Sequence, residues 1–119
     1  MATAKLYASY VAKVNNKEID FDTDTVKVVH LKNTYTPSQT THAYYSDVNT
    51  HVVTGTNITA GGQAVASKTV TLVTLTQQFD AADTTFTNIT TNSPHIRYSV
   101  VYVDTGTAAT SPLIGYIDW

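Results

Sequence analysis

The segment Leu113-Ile114-Gly115-Tyr116-Ile117-Asp118-Trp119 has the residue types of a β-strand and carries apolar side chains at both odd and even positions. A strand of that kind must be covered on two faces, and its backbone groups must pair along its length. It either lies inside the sheet of its own chain or is handed to a neighbouring one. The rest of the sequence favours a protein that works packed against copies of itself or a larger assembly.

The rest of the composition agrees with strands. Among 119 residues there are 23 threonines and eight tyrosines, while glutamate occurs once, at Glu18. Branching at Cβ and flat rings suit a pleated surface. Charged residues make up 13% of the chain, about half the usual share. The net charge of −2 and the single arginine, Arg97, leave no basic stripe, so direct phosphate-driven binding of nucleic acid is not expected. No apolar run is long enough to span a membrane as a helix. Met1 to Leu6 leads into alternating residues and does not have the form of a signal peptide. The absence of cysteine excludes disulfides and fits assembly in a reducing cytosol.

Alternation along the chain predicts seven or so short strands with turns between them, which reads as a single all-β domain over 1–119. The expected architecture is an antiparallel β-sandwich or jelly-roll-like barrel. Leu6, Ala8, Tyr10, Ala12 and Val14 fall on alternate positions, so residues 1–16 are expected to form an extended N-terminal arm or strand that adds to a neighbour's sheet. Thr25–Leu31 and His95–Val103 are strands, the second of them central. Val65–Gln77 reads as the longest strand, with its apolar phase slipping between Leu72 and Val73, as a bulge or burial on both faces would require. Thr85–Ile89 is a short strand. His42–Asn49 admits a helical turn, with Ser46 as its cap. Asn92-Ser93-Pro94 is a turn.

Chemistry-bearing patterns are weak. Asp20, Asp22 and Asp24 open like a calcium loop, but Thr25 and Leu31 stand where glycine and glutamate are needed, so a solvated turn is expected. His30, His42, His51 and His95 form no close ligand pair, and His30 reads as a half-buried strand position. No serine sits in a nucleophile elbow, and Gly61-Gly62 lacks the residues of a phosphate cradle. Asn57-Ile58-Thr59 and Asn88-Ile89-Thr90 match a glycosylation acceptor without a secretory context. No catalytic residue, cofactor or metal is expected, and the chain does not read as an enzyme. Tyrosine at a surface gives contact area with a polar tip and is enriched at interfaces. The expected contact residues are Leu6, Tyr7, Tyr10, Tyr44, Tyr45, Ile117 and Trp119, whereas Tyr98 and Tyr102 read as sheet core.

Three segments in order carry a resemblance: Asp24–Leu31 through Thr34–Pro37, Val53–Thr56 through Thr59–Gln63, and Tyr102–Thr107 through Leu113–Asp118. Together they resemble small virion structural proteins of tailed bacteriophages, most closely head decoration (cement) proteins. The resemblance implies a β-rich module, a homotrimer, that bridges major capsid protein subunits on the outer surface of the head after assembly in the host cytoplasm. It equally allows a tail, neck or fibre-attachment component. The Tyr- and Thr-rich surface suggests a third reading, a carbohydrate-binding adhesin module. Relatives carry a further strand beyond the Gly-Tyr-Ile-Asp segment. Its lack here would leave the sheet one strand short, with an edge covered by another subunit, or mark a minimal form.

Overall fold

The computed structural model describes residues 1–91 and 95–119, so the turn expected at Asn92-Ser93-Pro94 lies outside the described residues. Among the described residues nine strands, β1 (Thr3–Leu6), β2 (Val26–Lys32), β3 (Gly55–Thr56), β4 (Gln63–Ala64), β5 (Thr69–Val73), β6 (Thr76–Asp80), β7 (Thr90–Thr91), β8 (Ile96–Val103) and β9 (Leu113–Asp118), accompany one short α-helix, α1 (Tyr10–Asn15), and three single 3₁₀ turns. The chain is all-β in class. Its principal element is a five-stranded antiparallel sheet in the order β1-β9-β8-β2-β4, and two small ribbons, β3-β7 and β5-β6, stand beside it.

The most apolar strands occupy the middle, as burial on two faces demands. β8 pairs with β2 from Val26↔Val103 to Lys32↔Ile96 and with β9 on its other side. Tyr98, Val100 and Tyr102 point to one face, where they meet Val29, Leu31, Leu113 and Tyr116. That face is roofed by the connection between β2 and β3, which contributes Tyr35 and Val48 and is bound to β2 by the Leu31↔Val52 bridge. The opposite face buries Val26, Val103 and Ile114 under Tyr10 and Ile19 at one end. Each fully buried aliphatic side chain contributes about 1.5–3 kcal/mol.

The apolar segment 113–118 lies within its own sheet, between β8 and β1, with residues 113–116 buried. Because β1 takes the place beside it, the expected unfilled edge at this strand does not occur. The N-terminal arm is likewise corrected. Thr3–Leu6 pairs with Asp118–Gly115 of the same chain, and the chain then turns into α1, which buries Tyr10 and Lys13 one helical turn apart. Apolar residues at 7, 10 and 14 satisfy a helical period as well as the alternating one, and packing decided for the helix. The helix stops at Lys17, whose φ of 60° is the left-handed closure common at helix ends.

The expected long strand 65–77 is two strands. Thr74 and Leu75 form a two-residue turn, with Thr74 at φ 58°, so the phase slip at Leu72/Val73 marks a hairpin reversal, not a bulge. Thr85–Ile89 is irregular, and the short strand comes at Thr90–Thr91. Around His42–Asn49 the turn is 3₁₀, at Tyr45–Asp47. Its start is held by Asp47, whose carboxylate accepts from the Ala43 and Tyr44 amides at 2.8 and 3.0 Å; Ser46 lies inside the turn.

Candidate interaction surface

The expected contact residues divide into two groups. Tyr7 and Tyr10 are buried, at 1% and 6% exposure, and belong to the core. Tyr7 sits at the head of a polar chain inside it. The His42 Nδ1 atom accepts from the Ser38 amide and is 2.8 Å from the Tyr35 hydroxyl, so Tyr35 donates to His42 and Tyr7 donates to Tyr35 across 3.0 Å. Burial, then the bond to Tyr35, raises the Tyr7 pKa far above the usual phenol range, and burial lifts Tyr35 to about 12. These hydroxyls stay protonated and act as structural donors.

Tyr44 and Tyr45 are half-buried. The Lys13 ammonium lies 3.6 Å from the Tyr44 ring centroid and donates to the Ala43 carbonyl. Burial lowers the Lys13 pKa, while Glu18 and Asp47 pull it back. Tyr45 stacks flat on Tyr102, whose hydroxyl donates to the Gly61 carbonyl at 2.6 Å. Tyr45 braces the loop against the sheet, Tyr44 packs against Lys13 of α1, and both rings remain partly exposed.

Leu6, Ile117 and Trp119 are different, because they share the second sheet face. Beyond the part covered by Tyr10 and Ile19, that face is open. It forms a groove of about 430 Å³ whose floor is Ala4, Leu6, Val28, Val101 and Ile117 and whose wall is Phe21, Val65 and Phe79. Leu6 is 53% exposed and Phe79 42%. At one end, Trp119 donates its indole N–H to the buried Ser99 hydroxyl at 2.8 Å, and His30 Nδ1 meets the same hydroxyl at 2.9 Å. The Ser99 hydroxyl, with one proton and two lone pairs, accepts from the indole and can pair with either tautomer of His30. Burial lowers the His30 pKa, and Phe86 covers the ring with centroids 4.1 Å apart. Ser99 is 1% exposed, so this serine–histidine contact positions Trp119 and presents no nucleophile at the surface.

The residues missed from the sequence are Leu72, Val73 and Leu75, exposed at 75%, 53% and 96% near the tip of the β5-β6 hairpin. Reading them as the inside of one long strand hid them. The root of this hairpin is anchored by Phe79, which packs edge-on against Tyr10 and Phe21. Among the described residues no group of acidic or imidazole side chains is arranged to hold a metal ion, and no helix is long and apolar enough to cross a membrane. Comparison of the chain with protein-family models, curated proteins and solved structures gives no match.

Proposed function

We propose that this protein is a decoration protein of a tailed-bacteriophage head. It is non-enzymatic and cofactor-free, and binds as a homotrimer to the outer surface of the shell, where it bridges major capsid protein subunits without direct contact to nucleic acid or membrane. The observation that carries this reading is the combination of a well-packed tyrosine-rich core with a set of uncovered aliphatic side chains on the open sheet face and the hairpin. A chain that buries its core so fully and still exposes Leu6, Leu72 and Leu75 has contact surface to spare. The segments that resemble virion proteins form β2, the Gly61-Gly62 turn and β9, so the resemblance runs through the main sheet.

The role is mechanical. Each copy buries area against two or more shell subunits, and separating capsomers then requires breaking those contacts as well; stable attachment takes about 1,200–2,000 Å² per interface. In the assembled state a neighbouring chain over the open face would supply the second layer of a sandwich. The test is to mix the purified chain with heads that lack it and measure retention after sedimentation. Saturable binding at hundreds of copies per particle is expected. Binding limited to a dozen copies would favour a tail or neck position, and no binding would overturn the proposal.

A further inference from the structure

We propose that the β5-β6 hairpin is the self-association element, and that its tip seats in the apolar groove on the open sheet face of a second copy of this chain. The inference deepens the proposed self-association and rests on that part of the reading alone, not on attachment to a shell.

The hairpin is unfinished as it stands. Its strands pair only with each other among the described residues, and every one of its residues except the half-buried Val70 is exposed. A two-stranded ribbon is marginal in water without a third strand or a surface to cover it. Nature guards solitary edges with charges, prolines or bulges. The hairpin has no proline and a single charge, Asp80 at its last position far from the tip, and the pairing runs without a register break. At the tip, Thr74 adopts φ 58°, a conformation that a β-branched residue enters at a cost. Strain of this kind concentrates where a segment works.

Two cavities touch the hairpin root, and their linings choose between them. The cleft under the ribbon, about 620 Å³, includes Lys17, Asp20 and Asp22, charges that the uncharged tip, Leu72 to Thr76, would strip of water without return. The groove on the sheet face also includes Lys5 and Asp80, but most of its lining is apolar, and Leu6, Val28, Val101 and Ile117 match Leu72, Val73 and Leu75 in character. The size of the tip also fits a copy of the chain: a groove of about 430 Å³ takes three aliphatic side chains, Leu72, Val73 and Leu75, and the surfaces around it supply the rest of a specific interface. A tip-to-groove contact is head-to-tail, and three such contacts close a ring.

Sedimentation velocity on the full chain at tens of micromolar tests this. The tip variant is Leu72→Asp with Leu75→Asp, and the groove variant is Leu6→Glu; all three positions are exposed in the isolated chain, so circular dichroism should be unchanged. The unmodified chain is expected to sediment as a trimer. Either variant alone should associate about 100-fold more weakly and run as a monomer. An equimolar mixture of the two should form dimers, since one intact tip meets one intact groove. An unmodified chain that stays monomeric, a variant that stays trimeric, or a mixture that stays monomeric would each overturn the proposal. A trimeric tip variant that no longer binds heads would also overturn it, and would give the hairpin to the shell.

Discussion

The ring of Tyr45 lies parallel to that of Tyr102, with centroids 4.3 Å apart and 4° between their planes. One ring belongs to the loop that roofs the core and the other to the central strand, so the pair ties the two together. Replacing Tyr45 by Ala removes a stacked pair and part of a large buried side chain, at a cost of about 2 kcal/mol. Tyr45→Phe keeps the stack and should cost less than about 0.5 kcal/mol. Urea denaturation of both variants at one protein concentration measures the difference, and equal losses would mean that the hydroxyl, not the ring, matters.

Gly62 is the position least able to accept a side chain. At φ 87°, a Cβ there would stand 2.0 Å from the Val28 carbonyl oxygen, which is backbone and cannot step aside. Gly62→Ala should therefore cost more than about 3 kcal/mol, through both the forced displacement and the left-handed conformation. Gly106 provides the control, since its φ is 89° and nothing lies within 4 Å of the added carbon. Gly106→Ala should lose only about 1 kcal/mol, the ordinary penalty of that conformation. Thermal melts that place the two variants together would refute the close approach of this turn to β2.

His30 gives the stability a pH dependence of known sign. Burial depresses its pKa below the ordinary value of 6.5, so the unfolded chain takes up a proton at a higher pH than the folded one does. In that window the unfolded state holds more protons, and stability falls as pH drops through about 6.5 toward the folded pKa. His30→Gln should flatten this part of the profile while leaving the melting temperature above pH 7.5 less affected. Melts from pH 5 to 8 on both proteins check it; parallel curves would show that His30 does not titrate differently on folding.

Much of the sheet was legible because its strands advertise themselves. β2, β8 and β9 are dense in valine, tyrosine and isoleucine, and their burial follows the apolar positions closely. The N-terminal segment misleads because six residues of helix are too few to separate a period of 3.6 from one of 2. The pairing of β1 with β9 joins the two ends of the chain, and nothing local encodes it. Of the expected contact residues, Leu6, Ile117 and Trp119 do share a face, but Tyr7 and Tyr10 were drawn inward by ring packing that a linear reading cannot see. The hairpin was hidden for a chemical reason. Its reversal uses Thr74-Leu75, with none of the glycine, asparagine or aspartate that normally marks a turn.

That unusual turn is itself testable. A threonine at φ 58° sacrifices about 1 kcal/mol that glycine would not. Thr74→Gly or Thr74→Asn should therefore firm the ribbon locally, slowing amide exchange within Thr69–Asp80 by about fivefold. Exchange in β8 should be unchanged, because the hairpin shares no pairing with the main sheet. A global rise in protection would mean that the ribbon folds as one unit with the core. Faster exchange in the hairpin would mean that the threonine side chain stabilises the turn it occupies.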